Sequence, residues 1–139
     1  MNIIPNGPGL LPKWMLFVSA LAIFNSIQNC LTTSLTARIY NHKPQLVNPL
    51  QARTFGVWTF TSAIVRFYAA HNINNKTHTH QVSVYDIAIW TYAIVIAHYI
   101  SELLYYRTSK LSAGIISPLM VGTASFVWMI TQYDFYVKS

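Results

Sequence analysis

The sequence predicts an all-α integral membrane protein, a four-helix transmembrane bundle forming a single membrane domain over residues 1–139. Three observations carry that prediction. Hydrophobic residues make up 53 % of the chain and charged residues only 9 %, against about 25 % charged in soluble domains. A chain of this length normally forms one domain, and with so few charges it could not cover a soluble core with a polar surface. Finally, the apolar residues collect in four runs, each close to the ~17–25 residues a helix needs to cross a ~30 Å hydrocarbon core.

Residues 1–13 hold Asn6-Gly7-Pro8-Gly9 and Pro12, turn formers that oppose a regular element. Lys13 then precedes an apolar run from Trp14. No small-x-small cleavage site follows, and apolar character continues past Asn25, Gln28 and Asn29 to Leu35. The run therefore reads as a retained first span, 14–35, with Lys13 and Trp14 suited to the interface. A polar connection, Thr36 to Arg53, carries Arg38, Lys43, Pro44 and Pro49, and its prolines oppose a continuous helix.

The second span, 54–70, has Arg66 as its internal charge, and the polar loop from His71 to His80 follows it. The third span, 84–105, has Asp86 near its start and His98 and Glu102 towards its end. Arg107-Thr108-Ser109-Lys110 makes a short basic turn before the fourth span, 114–133. There Gly114, Pro118 and Gly122, with Ser117 and Ser125, permit close helix approach. The four Trp and nine Tyr read mostly as interfacial belts, and Cys30, inside an apolar run, reads as a small core residue.

Nine Lys/Arg stand against three acids, Asp86, Glu102 and Asp134, for a formal charge of +6. The basic residues lie scattered at the ends of apolar runs, which suits lipid headgroups and excludes a clustered nucleic-acid face. Membrane lipid is thus an expected partner and nucleic acid is not. Four spans put both termini on one side. Arg38, Lys43, Arg53, Arg107 and Lys110 then share the side of loops one and three, against Lys13, Lys76 and Lys138. The positive-inside rule leans towards loops one and three being cytosolic. The sequon Asn75-Lys76-Thr77 would be modified only in a lumenal loop two, so the orientation stays open.

At a rise of ~1.5 Å per residue, Asn25, Gln28 and Asn29 lie roughly 17 to 23 Å along the first helix. On the same scale His98 and Glu102 lie roughly 20 and 26 Å along the third. Arg53 and Thr54 enter from the far side at the level of Glu102. These seven residues are expected to form one polar layer facing the bundle interior or a partner. Simple packing would use them for interhelical hydrogen bonds worth about 0.6 kcal/mol each. A buried carboxylate costs several kcal/mol unless paired, and Arg53 is the expected partner of Glu102. Arg66 lies about 18 Å from Glu102 in depth. It is expected to act as an interfacial charge, snorkelling to the near headgroups or meeting Asp86.

Glycines occur only at 7, 9, 56, 114 and 122, so no Gly-x-Gly-x-x-Gly exists and no nucleotide cofactor is expected. His71, His78 and His80 have no carboxylates nearby and read as a solvated turn, leaving no metal site expected. Gly-x-Ser-x-Gly and paired catalytic carboxylates are missing as well. Any enzyme would have to use His98 and Glu102 as a proton-transfer pair.

The motifs Leu50-Gln51-Ala52-Arg53-Thr54-Phe55-Gly56-Val57-Trp58-Thr59, Ile64-Val65-Arg66, His98-Tyr99-Ile100-Ser101-Glu102-Leu103 and Ser117-Pro118-Leu119-Met120 occur in that order. This set resembles the signatures of the ergosterol biosynthetic protein 28 family over about residues 12–133. Phe24-Asn25-Ser26-Ile27-Gln28 and Ser125-Phe126-Val127-Trp128-Met129 are similar to fungal members. The resemblance implies a non-catalytic, multi-pass scaffold of the endoplasmic reticulum membrane without a cofactor. Its implied partners are the sterol C-4 methyl oxidase, the sterol C-3 dehydrogenase/decarboxylase and the 3-keto sterol reductase. A scaffold raises the effective concentration of successive enzymes. The alternatives are a small sterol isomerase-like enzyme using Glu102 and His98, or a sterol-binding carrier. Whether the chain forms a homodimer or holds sterol is left open by the sequence.

Overall fold

The structure, a computed structural model, describes residues 2–73 and 83–138. Its regular elements, in order, are α1 (Leu11–Leu31), a short α2 (Ser34–Ile39), a 3₁₀ turn (Pro44–Leu46) and α3 (Pro49–His71). Then come α4 (Val84–Leu104), α5 (Ala113–Thr131) and a π-helical turn (Asp134–Lys138). No strand occurs among the described residues. Helices α1, α4 and α5 are long and apolar enough to cross a membrane. Helix α3 is the longest at 23 residues, but Gln51, Arg53, Arg66 and several threonines dilute its apolar run. The all-α membrane class therefore holds, with three helices that qualify as spans where four were expected.

Helix boundaries follow local chemistry. Pro12 lies in the first turn of α1, where its missing N–H costs no hydrogen bond, so the helix starts inside the expected irregular stretch. At Thr32 the backbone turns extended (φ −141°), and α2 takes up Leu35, so the 14–35 run is split in two. Pro49 opens α3 behind Asn48, whose Oδ1 accepts from the Gln51 N–H at 2.9 Å. Arg53 and Thr54 consequently sit inside a helix rather than at its entrance. Ser83 and Asp86 form a capping box at the start of α4. Pro118 lies within α5.

The long helices alternate in direction, as their contacts require. Ser19 Oγ of α1 donates to the Ala63 carbonyl of α3 at 2.8 Å. Towards the other end of the pair, a Cβ on Gly56 would come within 3.0 Å of the Ser26 carbonyl. Small residues thus let these two backbones approach closely. Between α4 and α5, Tyr85 Oη donates to the Met129 carbonyl at 2.8 Å. Of the three expected close-packing residues, Gly114 is the tight one, since a Cβ there would meet the Arg38 carbonyl at 2.7 Å. Gly122 has room for a methyl group, 3.5 Å from Val95, and Pro118 lines a half-open cavity between the helices.

Large apolar side chains point outward, among them Phe17, Phe24, Val57, Phe60, Ile94 and Val127, as suits lipid as the solvent. Cys30 is also exposed, correcting its reading as a core residue. Two buried clusters lie inside. One joins Leu11, Met15, Ala70, Tyr85, Tyr92, Met129 and Tyr136 at the end carrying the N-terminal segment and the final turn. There Tyr136 Oη donates to the Pro8 carbonyl at 2.7 Å, beside Gly9 at φ +80°. The other joins Ile39, Tyr40, Phe55, Tyr99 and Ile115 at the opposite end. Tyr40, Tyr85, Tyr92, Tyr99 and Tyr136 are all buried, so these five tyrosines are core residues and not an interfacial belt. The sequon at Asn75 and residues His78 and His80 lie outside the described residues.

Candidate functional site

The expected polar layer divides into three places. On α1, Asn29 is buried and its Oδ1 accepts from Thr36 Oγ1 of α2 at 2.6 Å. Its Nδ2 has no partner among the described residues. Asn25 and Gln28 are half-buried, and Asn25 lines the central cavity.

The second place is the end formed by the loops. His98 Nε2 lies 2.7 Å from Tyr40 Oη. Burial pushes the Tyr40 phenol up from its ordinary range, so Tyr40 stays protonated and donates to Nε2. The His98 proton is then on Nδ1, 3.9 Å from Glu102 Oε1, close enough for attraction but too long for a hydrogen bond. Glu102 Oε2 accepts from the Thr108 hydroxyl. Its backbone carbonyl accepts from the Thr108 and Ser109 amides at 3.0 and 3.3 Å. The Thr108 carbonyl in turn accepts from the His42 and Lys43 amides at 3.1 and 3.2 Å. Asn41 Oδ1 accepts from the Lys110 amide at 2.7 Å. Glu102 thereby anchors the turn between α4 and α5, and that turn is stitched to the connection after α2.

Arg53 and Thr54 occupy the third place, the outer surface. Both are exposed, and the Thr54 hydroxyl bonds back to the Leu50 carbonyl of its own helix at 2.9 Å. No ion pair joins Arg53 to Glu102 among the described residues. The helical rise alone would set them at one depth, but the helix turns Ala52, Phe55 and Gly56 inward and carries positions 53 and 54 out.

Arg66 corrects a second expectation. It is 6 % exposed and does not reach out as an interfacial charge. Its Nε donates to Thr91 Oγ1 at 3.0 Å and its Nη2 to the Thr91 carbonyl at 3.3 Å. The guanidinium carbon stands 4.1 Å from the Tyr92 ring centroid, a cation–π contact. Asp86 is not its partner: that carboxylate accepts from Ser83 and, at 2.7 Å, from Tyr133 Oη. The helical face again decides, because residue 66 falls on the inward stripe with Ser62, Ala63, Ala69 and Ala70.

Arg66 and Tyr92 line a half-open cavity of about 470 Å³ to which all five helices contribute. Phe55, Trp58, Ser117, Pro118 and Gly122 share its wall. His98 instead lines a separate groove with Tyr40, Leu50, Thr54 and Trp58, and Glu102 lines neither cavity. The two expected proton-transfer residues therefore do not line the main cavity. Among the described residues no three His, Cys, Asp or Glu gather in a way that could hold a metal.

Sequence reasoning missed Tyr40, Thr36, Thr108 and Tyr92. A signal existed for one of them. Tyr85, Tyr92 and Tyr99 recur every seven residues, a spacing that puts them on one helix face. The Tyr40–His98 contact spans 58 residues, and no local pattern announces it.

Comparison with known proteins matches residues 11–127 to a family described as Erg28 like protein. The chain is 46 % identical over 139 residues to ergosterol biosynthetic protein 28 of Candida albicans, covering 99 % of this chain and 96 % of the relative. It is 42 % identical to the Saccharomyces cerevisiae protein of that name, over 92 % of this chain and 83 % of the relative. The Homo sapiens homolog is 39 % identical, over 87 % and 83 % respectively. No solved structure matches.

Proposed function

This chain belongs to the Erg28 like protein family, and from that premise we propose that it serves ergosterol biosynthesis as a non-catalytic scaffold of the endoplasmic reticulum membrane. It tethers the sterol C-4 methyl oxidase, the sterol C-3 dehydrogenase/decarboxylase and the 3-keto sterol reductase. The observation that carries this reading is 46 % identity across nearly the whole chain to a relative named for ergosterol biosynthesis. Tethering brings successive enzymes to a high effective concentration, so a poorly soluble intermediate travels less far in the bilayer.

Helix α3 is the fourth span in this reading. With Arg66 turned inward, its outward face presents Val57, Phe60, Ile64 and Tyr68, side chains that lipid accepts. Arg53 and Thr54 interrupt that apolar face. A cation exposed at the margin of a membrane helix either meets headgroups or finds a partner, and this pair is the proposed contact with a neighbouring helix. Asn29, His98 and Glu102 serve the bundle itself, holding α2 and the loops in place, while Asn25 lines the cavity and Gln28 stays half-buried on α1. A sterol isomerase-like enzyme is disfavoured because Glu102 lines neither cavity and His98 opens on a separate groove across Phe55 and Trp58 from the main one.

The test is affinity recovery of the tagged chain from membranes in a mild detergent. The wild type is expected to bring down all three enzymes. Arg53→Glu is expected to lower their recovery severalfold while leaving the chain's own yield and melting temperature unchanged. Undiminished recovery with R53E would remove Arg53 from the contact. Absence of all three enzymes from the wild-type eluate would overturn the scaffold itself.

A further inference from the structure

Neither the loop-end cluster nor the outward faces account for the half-open cavity between the helices. Its volume of about 470 Å³ falls among those of small-molecule sites, ~300–1,000 Å³. From Phe55 to Arg66 it runs roughly 16 Å along α3 at the helical rise. Arg66 forms a buried polar pole and the exposed Arg38 stands elsewhere on the rim, while the wall between them is largely apolar, with Val18, Leu21, Phe55, Trp58, Val95 and Val121.

The polar pole is incomplete in two independent ways. Arg66 uses two of its N–H groups, both on Thr91, and its other donors have no acceptor among the described residues. No counter-charge balances it among the described residues. The chain has three acidic side chains, and no described carboxylate lies within ion-pair distance of Arg66. A buried guanidinium left unpaired is costly, the more so in a membrane. The second sign is Tyr92, which is fully buried and whose hydroxyl closes no hydrogen bond. Ser125 is its nearest polar neighbour; that hydroxyl donates to the Val121 carbonyl and accepts from the Trp14 indole, which leaves it one acceptor site outside bonding distance of Tyr92.

We propose that this cavity binds an amphipathic molecule with an apolar body and a carboxylate at one end, the carboxylate forking onto Arg66 where the guanidinium lies over the Tyr92 ring. A carboxylate supplies both the missing charge and a pair of acceptors in the plane that guanidinium geometry matches. An alcohol supplies one acceptor and no charge, so the site ranks the acid above the alcohol. Thr91 and the Tyr92 ring hold the guanidinium in place beforehand, which lowers the cost of capture. The inference does not depend on the scaffold reading, because it concerns the isolated chain.

The experiment uses the full chain, purified in detergent, and four photoreactive diazirine probes: a fatty acid, a steroid carboxylic acid and the alcohol matching each. Labelled positions are located by mass spectrometry. At least one acid is expected to label cavity-lining segments of α1, α4 or α5 about tenfold more than its alcohol, as loss of a charge-assisted pair predicts. Which acid does so reports the shape of the body. Arg66→Gln is expected to cut that labelling about tenfold or more, Arg66→Lys less, and the exposed-loop control Arg107→Gln not at all. Should R66Q fail to fold, Thr59→Leu narrows the same cavity and removes only a hydrogen bond to the Phe55 carbonyl of its own helix. It too is expected to depress labelling. Equal labelling by acid and alcohol, labelling unchanged in R66Q, labelling confined to outward faces, or none by either acid would each overturn the proposal.

Discussion

The two ends of the helical assembly are closed by different chemistry. At the end holding the N-terminal segment and the final turn, tyrosines seal the fold by reaching across it. Tyr85 Oη bonds Met129, Tyr133 Oη bonds Asp86 and Tyr136 Oη bonds Pro8, all around an apolar cluster. At the opposite end, loops are laced together by backbone groups and by the run Tyr40–His98–Glu102–Thr108. One end is closed by rings that carry large apolar area and a polar tip. The other depends on connections holding their register. The difference teaches that the first end should resist substitution of single polar groups better than the second tolerates any shift of its backbone.

Gly114 gives the largest expected effect. Leucine there would drive a side chain into the Arg38 carbonyl, already 2.7 Å from a bare Cβ. The loop end should lose about 3 kcal/mol, read as a lowered melting temperature in detergent with hydrogen exchange rising first in α2. Equal loosening at both ends would erase the comparison. Tyr85→Phe removes one buried hydrogen bond from the sealed end, at an expected cost of about 1 kcal/mol, without changing exchange in α2. Tyr40→Phe withdraws the donor from His98, which retains partial solvent access. Its expected cost is under about 1 kcal/mol, with faster exchange confined to residues 40–43 and 105–110. Gly122→Ala, which meets only ordinary contacts at 3.5 Å, should be neutral or stabilising by up to about 1 kcal/mol. Destabilisation there would show tighter packing than the contacts indicate.

Alkali should produce the smallest effect, at the sealed end. The hydrogen bond to Asp86 is the main influence pushing the Tyr133 phenol up, and burial does the same for Tyr136. A phenol whose folded value is raised stabilises the fold fully below its unfolded value of about 10 and loses that contribution as pH climbs through the folded value. Exchange of the C-terminal turn should therefore quicken above about pH 10, and Tyr133→Phe should abolish part of that response.

Depth along the helices was legible in the sequence, and facing was not. Continuous apolar runs bound α4 and α5 closely: Val84–Leu104 against 84–105, and Ala113–Thr131 against 114–133. The break at Thr32 was hidden because apolar residues continue to Leu35 on its far side. Arg53 and Glu102 share a level but not a face, while Arg66 faces inward where the near headgroups would have satisfied it. Charge alone cannot reveal this, since a few tens of degrees of helix rotation separate lipid from interior. The seven-residue tyrosine spacing on α4 did carry facing information. The cavity did not show at all, because it is what five helices leave unfilled.

The most direct test of the scaffold account is flux through the three sterol enzymes reconstituted in liposomes with and without this chain. The expected result is faster passage through the whole sequence, each enzyme's separate rate unchanged and no turnover by the chain alone. Conversion of a sterol by the isolated chain, or an overall rate indifferent to its presence, would contradict it.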